Sequence, residues 1–186
     1  MPSLIGAQNL SAAIAAMSYT ASKLKVGHTN VLADALKTPV RQLQAMNRIL
    51  PMRREIDQAI EDRYVSDDDV FRTVQINAEK AEKFGTGNCE EQASTAFMHL
   101  LRMNSVAVDY CRWKEGKHAF VLVGRRGEKT TKGKITEFPW FEDAVICDPQ
   151  DRRCGYWSML TVFYPPTNVV PLLHREPGVL AVWKNK

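Results

Sequence analysis

Cys89, His118 and Asp148 are three side chains of this 186-residue chain that together could carry out acyl transfer. A thiol is a weak nucleophile until it ionises. A catalytic cysteine therefore needs a base beside its sulfur, and the base needs an acceptor on its other ring nitrogen. Cysteine, imidazole and carboxylate supply those three roles. Cys89 sits in Gly85-Thr86-Gly87-Asn88-Cys89-Glu90-Glu91-Gln92-Ala93, a glycine-broken turn that runs into a helix. Asn88 is placed to cap that helix, and Glu91 stands where a capping box has its acid. The dipole and unpaired N–H groups of a helix start favour a thiolate. The bland alternative is a small buried cysteine at a helix start, which is the usual fate of a free thiol. Taken singly, His118 also reads as a satisfied strand histidine and Asp148-Pro149 as a turn.

The elements that must position these residues follow from periodicity. Ala93, Ala96, Phe97, Leu100 and Leu101 recur at helical spacing after Cys89 and form one apolar face. Upstream, residues 10–84 read as all helical. Leu10, Ile14, Met17, Ala21 and Leu24 form one face, and Val31 to Leu36 a short second helix. Thr38-Pro39 starts a third helix carrying Val40, Leu43, Asn47 and Leu50. Pro51 ends it, and Met52, Ile56, Ala59 and Ile60 continue as a separate one. Ser66 to Asp69 caps a helix whose inner face is Val70, Val74, Ala78 and Ala81. Residues 1–9 read as loose.

After residue 104 the period changes to that of strands. Val106 to Cys111 alternates as a half-buried strand, Lys117 to Gly124 is a second, and Ala144 to Cys147 is a third. Trp157 to Tyr164 and Val179 to Trp183 are further strand candidates. His118 shares a face with Phe120 and Leu122, and Asp148 lies on the side of Ile146. The order predicts an α+β fold, with a helical portion over 1–84 and a catalytic core over 85–186 in one compact unit.

The stretches Gly87-Asn88-Cys89, Leu100-Leu101-Arg102, Val106-Ala107-Val108-Asp109-Tyr110, His118 to Val123 and Cys147-Asp148-Pro149 resemble the transglutaminase-like core of the papain-type cysteine enzymes. The resemblance covers about residues 85–150. It implies a central helix packed on an antiparallel sheet, with Cys89 as nucleophile, His118 as general base and acid, and Asp148 as its orienter. It implies no cofactor and no metal. Animal transglutaminases carry a tryptophan directly after the cysteine, where this chain has Glu90, and residues 125–134 form a long basic insert. The helical portion joined to a small thiol core also resembles secreted bacterial effectors and toxins that deamidate or cleave host proteins. The implied activity is that of a glutamine deamidase or transglutaminase, with a protease or amidase as the alternative. Asn88, Gln92 and Trp140 are candidates for the second oxyanion donor, besides the backbone N–H of Cys89.

The remaining residues admit other readings. Arg125, Arg126, Lys129, Lys132 and Lys134 form either a solvated loop or a docking patch for an acidic protein surface. In a different class of function, a non-catalytic module would use that loop to hold a partner. The cluster lacks interleaved aromatics, which argues against nucleic acid, as does a net charge of only +4. Cys89, His118, Cys147 and Cys154, with His99, could bind zinc, but they lack short ligand spacing. Trp113, Trp140, Phe141 and Trp157 could line a groove. Glu90 reads as a first-turn acid and, less simply, as an amine-binding group. His28 and His174 receive no role, and Cys111 and Cys154 read as inert. Four cysteines without a CxxC pair suggest reduced thiols and a reducing, cytoplasmic site of action. No membrane span and no cleaved signal pattern are evident, so delivery into a host cell would use a route without a cleaved signal.

Overall fold

The computed structural model describes residues 3–26, 39–63, 65, 69–115, 118–125 and 142–178. Its element order is α1 (Leu4–Lys23), α2 (Pro39–Asp62), α3 (Val70–Phe84), α4 (Cys89–Met103), β1 (Val108–Trp113), β2 (Ala119–Val123), β3 (Val145–Asp148), β4 (Arg153–Tyr156), the single turn α5 (Trp157–Leu160) and β5 (Val169–Arg175). The strands make one antiparallel sheet in the order β4-β3-β2-β1-β5. The fold is therefore α+β, helices first and sheet after.

Both sheet faces are buried, which explains the nearly continuous apolar runs of β2 and β3. Ala119, Val121, Val123, Val145 and Cys147 face α1 and α4, where they meet Ala13, Ala16, Ala93, Ala96, Phe97 and Leu100. Phe120, Leu122 and Ile146 face the other way, onto Trp157 and Tyr164. This alternation follows from the two-residue period of a strand.

The expected inner face of α1 is displaced. Ile14 is exposed, and the buried side is Gly6, Asn9, Ala12, Ala13, Ala16 and Thr20. Small residues let this helix lie close enough for the Cys147 thiol to donate to the Ala13 carbonyl at 3.7 Å. The helix also starts earlier than predicted, because the Ser3 hydroxyl caps the N–H of Gly6 at 3.0 Å. Pro51 does not end α2, which runs through it for 24 residues. Pro51 and Asn47, whose carbonyl loses its partner, are both exposed, so water can serve that carbonyl. The face predicted for the first half of this helix is reversed, with Ala45 and Ile49 buried and Val40, Leu43 and Leu50 exposed, whereas the face predicted after Pro51, Met52 and Ile56, is buried. Residues 157–164 are a helical turn and loop, not a strand; β4 precedes them and β5 follows them. The strand candidate at 179–183, the short helix at 31–36, Trp140 and the loop residues Arg126 to Lys134 lie outside the described residues.

Arg125 does not belong to an exposed basic loop. It is buried and forks onto fully buried Asp109, Nε to Oδ2 at 3.0 Å and Nη2 to Oδ1 at 2.5 Å. His174 in β5 adds Nδ1 to Asp109 Oδ1 at 2.9 Å. A carboxylate buried on β1 needs such partners, since desolvating an unpaired charge is prohibitive. The Asp109 hydrogen bond first, opposed by burial, holds His174 above its ordinary pKa. This network ties β5, β1 and the end of β2 together. Replacing Asp109 by Ala removes the buried carboxylate that both Arg125 and His174 meet and is expected to cost about 3–5 kcal/mol in urea unfolding, whereas Lys114→Ala on the exposed surface should cost under ~0.5 kcal/mol.

Candidate active site

Two glycines shape the turn that carries Cys89. Gly85 ends α3 in the left-handed region at φ 67°, where a side chain would be strained. A Cβ at Gly87 would sit 2.7 Å from the Cβ of Glu91, too close for any other residue. The turn then closes as a capping box. Glu91 Oε2 accepts the Asn88 N–H at 2.8 Å, and the Asn88 side chain faces the N–H of Glu91. Gln92 Nε2 donates to the Gly87 carbonyl at 2.9 Å. Asn88 and Gln92 are thus bound into the turn that presents Cys89. Trp140, the third oxyanion candidate, lies outside the described residues. Arg53 of α2 pairs with Glu91 at 3.2 Å and braces the turn from behind.

Cys89 is the first residue of α4 and is buried. α4 covers the sheet face of Ala119 and Val121, whereas His118 shares the opposite face with Phe120. The thiol therefore reaches His118 at the start of β2, past the N-terminal tip of the strand, instead of down one common face. The imidazole and the thiol are hydrogen-bonded. On the far side, His118 Nε2 lies 2.5 Å from Asp148 Oδ2. With Nε2 given to Asp148, Nδ1 is the nitrogen left for sulfur.

The sheet register makes the histidine–aspartate contact. Val121 pairs with Cys147, so Phe120 stands opposite Asp148, and His118 is its diagonal neighbour on the same face. Asp148 is fully buried and uses both oxygens. Besides His118, Oδ2 accepts the Tyr164 hydroxyl at 2.6 Å, and Oδ1 accepts the Asp151 N–H at 3.1 Å. Tyr164 is held in turn by Trp157, whose indole donates to the Tyr164 carbonyl at 2.7 Å. Burial first, then the Asp148 charge, pushes the Tyr164 phenol well above its ordinary pKa, so it stays a donor. Trp113 packs on the imidazole with centroids 5.1 Å apart. Its indole N–H is buried without a partner among the described residues.

Burial alone would lower the pKa of His118. The hydrogen bonds to Asp148 and Cys89 and the Asp148 charge outweigh it and raise the value to about 10. The imidazolium is therefore the resting form at neutral pH, with one N–H toward carboxylate and one toward sulfur. Among the described residues, His118, Asp148 and Asp151 also converge within 4.8 Å, as a metal site would require. A protonated imidazole and a carboxylate already accepting three donors are poor ligands. The zinc set is not assembled: Cys147 and Cys154 face each other across β3 and β4, on the face turned from Asp148. Glu90 pairs with Arg112. His99 is half-buried and stacks on Tyr19 at 4.1 Å. Sequence reasoning missed Tyr164 altogether: it follows Asp148 by sixteen residues, on a segment that reads as strand.

Two measurements check this geometry. The His118 ring, followed by NMR, should titrate near pH 10, and Asp148→Asn should bring it down toward the usual histidine value of about 6.5. Because the folded value is raised, His118 stabilises the fold fully below pH ~6.5 and loses that contribution as pH rises toward 10. Tyr164→Phe removes one donor from a buried carboxylate and should cost about 1.5–3 kcal/mol in urea unfolding.

No protein-family model, curated protein or solved structure matches this chain, so what the site does must be read from its own geometry.

Proposed function

We propose that the chain is a cysteine-dependent acyl-transfer enzyme of the transglutaminase-like, papain-type kind, acting on side-chain amides of proteins as a glutamine deamidase or transglutaminase. The observation that carries this reading is the imidazole of His118, bonded to the Asp148 carboxylate on one side and to the Cys89 thiol on the other. Cys89 is the nucleophile, His118 the proton carrier and Asp148 the group that fixes the ring. Tyr164 acts through Asp148 and is a positioning residue.

The reacting form is the Cys89 thiolate paired with the His118 imidazolium, and the thiolate attacks the amide carbon to form a C–S bond. The oxyanion forms beside the start of α4, where the Cys89 N–H is one donor; a single well-placed donor is worth about 3–4 kcal/mol. The C–N bond breaks as His118 returns its proton to the leaving nitrogen, and ammonia departs. His118 then takes a proton from water, whose oxygen attacks the thioester and expels the thiolate. An amine in place of water gives transamidation from the same intermediate. A peptide nitrogen as leaving group gives proteolysis.

Incubation with glutamine-containing proteins and peptides, followed by mass spectrometry, tests the reading. The expected results are the mass gain of amide-to-acid conversion and an acyl adduct on Cys89 after acid quench. Both should disappear in Cys89→Ala, and conversion should fall by at least about 10³-fold in His118→Ala. Cut chains with intact amides would assign a protease instead. Conversion that persists in Cys89→Ala, or no adduct on any substrate tried, would overturn the proposal.

A further inference from the structure

The first four turns of α2 are apolar on two opposite sides. Ala45, Ile49, Met52 and Ile56 are buried, the last three against α3 and Leu24. Val40, Leu43, Met46 and Leu50 are each more than half exposed. At 3.6 residues per turn these four form one stripe about 15 Å long, facing away from the core. A surface helix normally turns polar residues outward, so an aliphatic stripe there calls for something to cover it.

The charge beside the stripe says what. Residues 39–54 hold Arg41, Arg48, Arg53 and Arg54 and no acidic residue. Arg54 is exposed in line with the stripe. Arg48 and Arg53 flank it, and both stay exposed while reaching the Phe84 carbonyl and Glu91. A second copy of the chain fits badly. Antiparallel pairing centred on the stripe offers the arginines no acid, since residues 39–54 hold none. Sliding it until Asp57 meets Arg48 puts Asp62 onto Leu43. A flat anionic surface with an apolar interior satisfies both features, since phosphates meet the arginines and acyl chains the aliphatic stripe.

We infer that the N-terminal half of α2 is an interfacial helix that docks the protein on an anionic lipid surface. The helix does not span the bilayer; no described helix is long and apolar enough to do so. The same helix braces the Cys89 turn through Arg53 and Glu91, so docking would bring the candidate site close to the membrane plane. The inference is independent of the proposed reaction.

Co-sedimentation of the full chain with phosphatidylcholine vesicles, with and without phosphatidylserine, tests it. The protein should pellet with the anionic vesicles, less so at high salt, and stay soluble with the neutral ones. Leu43→Asp with Leu50→Asp changes exposed residues only and should weaken binding roughly a hundredfold, about tenfold for each leucine removed from the apolar phase. Arg54→Glu, which leaves the stripe intact, should weaken it as well. Failure to pellet with anionic vesicles overturns the inference, as does equal pelleting of the folded double variant. A dimer in light scattering that the double variant dissolves also overturns it and assigns the stripe to a second copy; so does binding of an acidic protein by a chain that ignores vesicles.

Discussion

A buried carboxylate is the constraint around which the C-terminal half of this fold is arranged. Asp148 has no exposure to water, so its charge must be met from within. His118 meets it from the start of β2, Tyr164 from the loop after α5, and the Asp151 N–H from the turn after β3. These partners come from segments that secondary structure alone would not bring together. The sheet register sets the first, the indole of Trp157 holding the Tyr164 carbonyl sets the second, and the β3–β4 turn sets the third. A protein whose only need was stability could replace such a buried polar cluster with aliphatic residues at little loss. Here it fixes an imidazole beside a thiol.

The sheet carries a comparable cluster at its other end. Asp109, Arg125 and His174 join β1, β2 and β5 where the strands run away from Cys89. Between the two clusters the sheet is apolar on both faces, filled by α1 and α4 on one side and by Trp157 and Tyr164 on the other. The two ends differ chemically. The Asp109 pair is closed on itself by a forked guanidinium, which cannot give up its proton. The Asp148 cluster ends in an imidazole bonded to sulfur, where a proton can move.

The α4 helix and its start were legible in the sequence, because capping residues and a clean apolar period act locally. The faces of β2 and β3, and hence the partnership of His118 with Asp148, were legible from strand alternation. What failed depended on tertiary context. The inner face of α1 is made of small and polar residues, Gly6, Asn9, Ala12, Ala13, Ala16 and Thr20, which no hydrophobic pattern marks. The face of α2 was misassigned only before Pro51, where both of its sides are apolar. Arg125 read as a loop cation because its partner, Asp109, is on a neighbouring strand. Tyr164 had no local signal, since a tyrosine that holds a catalytic-type aspartate looks in sequence like any core tyrosine.

The central claim is that His118 governs the reactivity of one thiol. Burial pushes Cys111 and Cys147 well above the ordinary thiol range and Cys154 to about 11, so none of these should react in the folded protein at mildly acidic pH. The direct measurement is residue-resolved iodoacetamide labelling of the folded chain, read by peptide mass spectrometry, in the native protein and in His118→Ala. The account requires rapid labelling of Cys89 alone, slowed at least about tenfold when the imidazole is removed. Labelling of Cys89 at the same rate in both proteins, or no faster than the three other thiols, would contradict it.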